Sequence, residues 1–262
     1  EAPHAPRLLP QPPPTAPTVA AVDPAATYLI TGGSGGLGSA LVQWLLDEQR
    51  VPPSQLVLLS RRGGAAAQPG VRSLKVDVSS ADSLAECAAL AELPRLGGIF
   101  HLAGVLDDGL IMNMDAARVR KVVAPKAGLL PLLERCSELA ITPAWVLLAS
   151  STSSLLGYAG QANYCAANAI FDQAAAFGLP PLPLTRPSHL PPPLPPPALL
   201  TLNFGPWGEV GMASEGTKAH ELSIANGERP MPSALALSCI SEALTSLRAE
   251  AASAPAPSAV RR

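Results

Sequence analysis

The sequence is poor in several things, and each shortage narrows the field. Aromatic residues make up only 4% of it, and its four cysteines (Cys87, Cys136, Cys165 and Cys239) are scattered without paired spacing. That spacing excludes a disulfide-stapled scaffold and a cysteine-ligated metal site, so no metal is expected. The cysteines read as free thiols of the cytoplasm or another reducing compartment, and the protein as not secreted. There is no long basic run, and a net charge of −2 with a pI near 6.1 argues against nucleic acid or an anionic membrane as the main partner. No apolar stretch approaches the roughly 18 residues of a membrane span, and no signal peptide is visible.

Proline, by contrast, is in excess. Thirty prolines among 262 residues are too many for one compact fold, although a hydrophobic fraction of 48% is ample for one core. One cluster, "EAPHAPRLLPQPPPTAPT", opens the chain, and the other, "GLPPLPLTRPSHLPPPLPPPALL", runs from Gly178 to Leu200. Both read as polyproline-type spacers. The predicted organisation is a Pro-rich linker over residues 1–24, a folded domain over 25–248 with a Pro-rich insertion at 179–198, and a linker-like tail over 249–262. With Glu1 at its start and "AEAASAPAPSAVRR" at its end, the sequence looks like a domain of a longer protein.

Between the linkers, strand-like runs alternate with helical segments. "TYLIT", "QLVLLS", "SLKVDVS", "GGIFHLAG", "AWVLLAS" and "ALLTLNFG" are the strands. Helices are predicted over "SALVQWLLDEQR", from Asp82 to Leu93, over "ARVRKVVAPKAGLLPLLERCSEL", and from Tyr164 to about Phe177. Such alternation implies right-handed crossovers and a doubly wound α/β domain with a parallel sheet covered on both faces.

"TYLITGGSGGLGSALVQWLL" places glycines between a strand and a helix: Gly33, Gly35 and Gly38 fit G-x-G-x-x-G, and Gly32, Gly36 and Gly38 fit G-x-x-x-G-x-G. Side chains there would keep a pyrophosphate from the backbone N–H groups at the helix start, so a dinucleotide site is expected. The second strand ends in Ser60, Arg61 and Arg62 without the acidic residue that binds a ribose 2′-hydroxyl. A guanidinium suits a 2′-phosphate instead, which favours NADPH.

Two of the three tyrosines lie in "SSTSSLLGYAGQANYCAAN". Tyr164 and Asn168 are one helical turn apart and project from one face. Ser151 closes the strand "AWVLLASS" at its carboxyl end, where open α/β sheets bind ligands. Carbonyl reduction needs a hydride donor, a hydrogen bond to the carbonyl and an acid for the alkoxide. A tyrosine suits the last role if a nearby cation lowers its pKa from about 10.

"ITGGSGGLG", "HLAGVLDDG", "SSTSSLLGYAGQANYCAANAIFD" and "LNFGPWGEVGMA", in this order, resemble the ketoreductase domain of modular polyketide synthases, in the short-chain dehydrogenase/reductase superfamily. The resemblance covers roughly Thr27 to Ser246. Most of that superfamily carries Tyr-x-x-x-Lys; the synthase ketoreductases have Tyr-x-x-x-Asn and take the lysine from the preceding helix, where this chain has Lys126 in "VAPKAG". The resemblance implies that Lys126 holds the nicotinamide ribose and lowers the Tyr164 pKa, Ser151 hydrogen-bonds the substrate carbonyl, and Tyr164 delivers the proton. Asn168 would help hold the lysine and a water relay. Cofactor contacts are implied for Thr31, Gly32, Gly33, Ser34, Gly35, Gly36, Leu37 and Gly38. They are implied also for Ser60, Arg61, Arg62, Asp77, Val78, Ala103 and Gly104, together with Lys126 and Tyr164. His101 is given no chemistry.

In the resembled family, Leu106-Asp107-Asp108 marks the B type, with Asp108 diagnostic, and the product is the D-β-hydroxyl. The A-type tryptophan is replaced by Leu156, and Ala166 stands where one B subtype has proline, so the expectation is B1-like. Trp207 and Met212 lie in the segment leading to a lid; substrate contact and packing both stay open for them. The implied partners are an acyl carrier protein bearing a phosphopantetheine-tethered substrate, and neighbouring domains of the same polypeptide. Two other readings remain open: a non-catalytic structural module of a megasynthase, and a stand-alone carbonyl reductase.

The chain departs from the family twice. Only "GGAAAQPGVR" joins the second and third strands where the family has a crossover helix, near the minimum length for parallel strands. Exposed apolar surface beside the edge strand is expected, covered by another domain. The Pro-rich insertion is expected to be an exposed loop on the side away from the site, with deletion changing turnover by only a few-fold.

Overall fold

The computed structural model describes residues 21–63, 68–179, 196–212, 214–225 and 227–253. The remainder of the N-terminal Pro-rich segment, most of the insertion and the end of the tail lie outside the described residues.

Among the described residues a parallel six-stranded sheet forms the centre, in the order β3-β2-β1-β4-β5-β6. Its strands are β1 (Thr27–Thr31), β2 (Leu56–Ser60), β3 (Arg72–Lys75), β4 (Leu96–His101), β5 (Trp145–Ser151) and β6 (Ala198–Phe204). Every residue of β1 is buried, the mark of a strand covered on both faces. This is the doubly wound α/β architecture that the alternation implies. The order reverses between β1 and β4, which opens a crevice at the carboxyl ends of those strands.

One face is covered by α1 (Gly36–Asp47) and α8 (Ser233–Ser253). Leu41, Trp44 and Leu45 of α1 recur at helical spacing and are buried; Ala236, Ile240 and Leu244 of α8 do the same. Ala21 and Val22, placed in the linker on composition, join this core, and the Ala21 N–H donates to Gln49 Oε1 at 2.9 Å. The other face is covered by α2 (Ala81–Glu86), α4 (Leu129–Glu138) and α6 (Ala162–Phe177). Shorter helices α5 (Ser153–Leu156) and α7 (Lys218–Ala225) flank the carboxyl end. No helix among the described residues is long and apolar enough to cross a membrane.

Two predicted helices are broken. The helix expected from Asp82 to Leu93 stops at Glu86, and a 3₁₀ turn follows at Ala88–Leu90. A continuous helix would carry Leu90 about 120° away from Leu84, so the break returns both to one core. The long helix expected through "APKAGLL" divides into α3 (Ala116–Ala127) and α4 around Gly128. Pro125 removes a backbone donor there. A Cβ on Gly128 would stand 2.5 Å from the Val78 carbonyl oxygen, so the chain needs glycine at that crossing.

The shortened crossover is real, and β2 and β3 still pair in parallel from Val57↔Arg72 to Ser60↔Lys75. Among the described residues the expected exposed apolar surface does not appear beside β3. The register puts Ser73 beside Leu58 and Lys75 beside Ser60, so β3 turns polar side chains to the face its helix would have covered. Leu58 itself is buried beside Gly33. None of the large exposed apolar side chains among the described residues comes from β2 or β3.

Candidate active site

The turn after β1 is built by contacts that exclude side chains. Gly32 has φ +69°, and a Cβ on Gly38 would lie 2.5 Å from the Gly32 carbonyl oxygen. A Cβ on Gly36 would lie 2.5 Å from the Gly211 nitrogen, because the segment after β6 crosses the turn. The turn opens onto a cleft of about 480 Å³. Gly32, Ser34, Gly35, Gly36, Leu37, Gly38, Ser60, Arg61, Arg62, Asp77, Val78, Ala103 and Gly104 line it. Thr31 and Gly33 are buried behind the wall. The glycine cradle at a helix start fits a dinucleotide. Pro125 and Gly211 also line the cleft; residue spacing carried no signal for either.

Tyr164 and Lys126, both expected to touch the cofactor, do not line the cleft; Lys126 stands in the last turn of α3. It is 3% exposed, and Gly104 on the cleft wall packs against its end: a Cβ there would be 3.7 Å from Lys126 Cε. Its ammonium donates to the Ala149 carbonyl at 2.8 Å and lies 4.4 Å from the Phe171 ring centroid. Ala149 and Phe171 hold the ammonium here, and not Asn168 as expected. Burial pushes the Lys126 pKa down to about 7, opposed by the negative charge of Asp172.

Tyr164 is half-buried near the start of α6. Burial pushes its phenol up, while the side chains of Asn168 and Ser151 beside it pull the other way. The expected lowering by Lys126 is therefore not found: the ammonium is turned to Ala149, and desolvation dominates at the phenol. Asn168 is fully buried and donates from Nδ2 to the Tyr164 carbonyl at 2.9 Å; its Oδ1 has no hydrogen-bond partner among the described residues. Ser151 Oγ, at the end of β5, accepts from the Ser153 N–H at 3.2 Å.

His101 belongs to the support of the site. Its Nε2 lies 3.2 Å from the Lys126 carbonyl oxygen, which can only accept, so Nε2 carries the hydrogen and Nδ1 accepts from Thr31 Oγ at 2.8 Å. The Ala103 N–H donates to the same Thr31 oxygen at 3.2 Å. Burial, and next the Lys126 charge, push the His101 pKa down to about 3. Between pH 6.5 and 3 the unfolded chain therefore binds a proton that the folded chain refuses. Stability is lost as pH falls through this window, by up to about 5 kcal/mol. His101→Gln is expected to move acid unfolding, followed by circular dichroism, to lower pH; an unmoved midpoint would exclude this histidine as the acid sensor.

The Leu106-Asp107-Asp108 loop sits over the start of α6. Asp107 Oδ1 accepts from Arg118 Nη2 at 2.7 Å and Oδ2 from Lys121 Nζ at 3.0 Å, and the Arg118 hydrogen bond holds the carboxyl below its ordinary range. The Asp107 carbonyl accepts from Asn163 Nδ2 at 2.8 Å, and Asp108 Oδ2 from Gln161 Nε2 at 3.1 Å. Arg118, Asn163 and Gln161 went unnoticed in the sequence; the position of Gln161 three residues before Tyr164 was the available signal. Met212 lies on the cleft wall, beside the cofactor cradle. Trp207 is in the core, 4% exposed and edge-on to Phe204 at 5.5 Å, so its role is packing and not substrate contact.

A parallel sheet with this order and a glycine cradle at its switch point define a Rossmann-like oxidoreductase fold of the short-chain dehydrogenase/reductase class, which takes a nicotinamide cofactor. Within that class, the family model described as "KR domain" matches residues 26–177. The chain belongs to this family, the ketoreductase domains of polyketide synthases. It is 35% identical over 216 residues to polyketide synthase GfsB of Streptomyces halstedii, an alignment covering 75% of this chain and 3% of that protein. It spans between 2% and 12% of the length of the curated relatives it matches. Among solved structures, the PlmKR1 ketoreductase from the first module of phoslactomycin biosynthesis in Streptomyces sp. HK803 aligns with TM-score 0.68 and 26% identity, over 94% of this chain and 59% of that one. An A1-type ketoreductase aligns with TM-score 0.63 and 27% identity, over 88% of this chain and 48% of that one.

Proposed function

We propose that this domain uses NADPH to reduce the β-keto group of an acyl thioester carried on an acyl carrier protein, giving the D-β-hydroxyacyl thioester within a polyketide synthase or a similar assembly line. The observation that carries this reading is the meeting of Ser151, Tyr164, Asn168 and Lys126 beside a cleft shaped for a dinucleotide. Bound NADPH would supply the hydride. Arg61 and Arg62 would hold its 2′-phosphate, and the Lys126 ammonium the nicotinamide ribose. Ser151 polarises the ketone oxygen by a hydrogen bond. The raised Tyr164 pKa keeps the phenol protonated at neutral pH, the form a proton donor needs. Asn168 offers its open Oδ1 to a donor in the same site.

The D configuration rests on Asp108, in the B1-like reading. Its neighbour Asp107 is pinned to α3, so the loop is held while Asp108 stays exposed beside Gln161. Overall likeness does not separate the types, since an A1-type structure aligns nearly as well.

The test is turnover of a racemic 2-methyl-3-ketoacyl thioester, with chiral analysis of the product. NADPH-dependent formation of the D-alcohol supports the reading; the L-alcohol overturns the role of Asp108. No turnover from folded, NADPH-binding protein would make the non-catalytic structural module the better account. In the same assay, Arg61→Ala combined with Arg62→Ala is expected to raise KM for NADPH about tenfold or more and leave NADH use unchanged, since a charge-assisted hydrogen bond is worth about 1.5–3 kcal/mol. Equal effects on both cofactors would count against a 2′-phosphate site.

A further inference from the structure

One guanidinium gathers the loop that carries Asp108. Arg118 of α3 donates to Asp107 Oδ1 from Nε at 3.2 Å and from Nη2 at 2.7 Å. The same Nη2 donates to the Asp108 carbonyl at 2.5 Å, and Nη1 reaches the Asn113 carbonyl at 3.4 Å. The guanidinium also packs against Gly109, where a Cβ would stand 2.4 Å from Nη1. Its root is fixed too: the Arg118 N–H donates at 2.8 Å to Oδ1 of Asp115, the N-cap of α3.

The other side of the loop rests on the approach to Tyr164. The Gly109 N–H donates to the Gly160 carbonyl at 2.8 Å, Asn163 Nδ2 to the Asp107 carbonyl at 2.8 Å, and Gln161 Nε2 to Asp108 Oδ2 at 3.1 Å. Asn163 is buried, and its Oδ1 accepts from the Tyr164 N–H at 2.9 Å. The loop is thus clamped between α3 and the start of α6, and Arg118 is the α3 side of the clamp. Lys121 adds a contact to Asp107 Oδ2 at 3.0 Å, from a side chain that is 62% exposed. A pair that open to water contributes little. A guanidinium does more, because its planar fork binds a carboxylate and a backbone carbonyl together, and the point charge of an ammonium does not.

We propose that Arg118 is a positioning residue for stereochemistry: by holding the 107–109 loop against the start of α6, it fixes where Asp108 stands relative to Tyr164, and so which face of the ketone is presented to the cofactor. The clamp stands on the hydrogen bonds above; its stereochemical consequence rests on the ketoreductase reading and on the role given there to Asp108. Arg118 does not line the cofactor cleft, so its effect falls on the choice of face and not on the binding of NADPH.

The experiment applies two readouts to wild type, Arg118→Met, Arg118→Lys and Lys121→Met. The first is the D:L ratio of the alcohol formed with NADPH from the racemic 2-methyl-3-ketoacyl thioester. Both Arg118 variants are expected to lower it about tenfold, the scale of one lost charge-assisted hydrogen bond, with KM for NADPH within about twofold of wild type. Lys121→Met is expected to leave the ratio within about twofold, as for other exposed pairs. A merely structural role would lower both products alike, so an unmoved ratio in the Arg118 variants overturns the proposal. The second readout needs no turnover: hydrogen exchange of the Gly109 amide, followed by NMR. It is expected to quicken at least about tenfold in both Arg118 variants and to stay unchanged in Lys121→Met. Unchanged protection in the Arg118 variants would remove Arg118 from the clamp and overturn the proposal as well. A wild type that forms the L-alcohol counts against the role of Asp108, and one without turnover against the ketoreductase reading; Gly109 exchange decides the clamp in either case. The two Arg118 variants are independent, so misfolding of one leaves the other to decide.

Discussion

Tyr164→Phe is expected to lower kcat at least about a hundredfold, the usual contribution of a positioned general acid, with melting unchanged within a few degrees. The phenylalanine ring keeps the apolar contacts of a half-buried side chain, so the substitution removes one hydroxyl and little else. That hydroxyl stands beside Ser151 and Asn168, and burial holds its pKa above the ordinary phenol value. In the wild type the phenol proton is therefore present across neutral pH, and its own loss should contribute no decline in rate below pH 10. The variant should lack any phenol-linked decline above that pH. Rates of NADPH oxidation as a function of pH check both points. Activity within tenfold of wild type would remove Tyr164 from the role of proton donor.

Lys126→Met is expected to separate activity from stability. In the proposed function the ammonium holds the nicotinamide ribose, and losing a charge-assisted hydrogen bond there should cost about 10- to 100-fold in kcat/KM for NADPH. Stability should move the other way. The folded pKa is about 7 against an ordinary 10.5, so holding the proton in the interior costs up to about 5 kcal/mol below pH 7. Between pH 7 and 10.5 the unfolded chain binds more protons than the folded one, and wild-type stability rises with pH across that window. Methionine is uncharged and nearly the same length. Its advantage should be largest at pH 6, with Tm higher by several degrees, and should shrink toward pH 10.5. A clear fall in Tm at pH 6 would mean that the hydrogen bond to Ala149 and the Phe171 contact outweigh the burial.

Of the two groups, Tyr164 stood out by residue spacing and Lys126 by the family resemblance. Tyr164 and Asn168 are four residues apart on a helix, and Ser151 ends an apolar strand; local periodicity suffices to put them at one end of the sheet. The glycine turn is equally local, because strand, turn and helix follow one another without interruption. What spacing did not carry was the direction in which each group is biased. The cation was expected to lower the phenol, but the path of the Lys126 side chain to Ala149 belongs to the packing of α3 against α6 and β5.

Amino-acid order by itself determined the alternation of strands and helices and the glycine turn, because each is written in contacts between near neighbours in the chain; Tyr164, Asn168 and Ser151 stood out by spacing, and Lys126 by the family resemblance. The tertiary structure alone decided which faces are covered and which charges meet. It showed that β3 turns Ser73 and Lys75, and no apolar side chain of its own, to the face where the family's crossover helix would pack. It put Trp207 in the core and made His101 a neutral bridge between Thr31 and Lys126. Burial and long-range pairing fix such features: desolvation depends on every element packed around a group, and residues 70 positions apart, as Thr31 and His101 are, come together only when the sheet has formed.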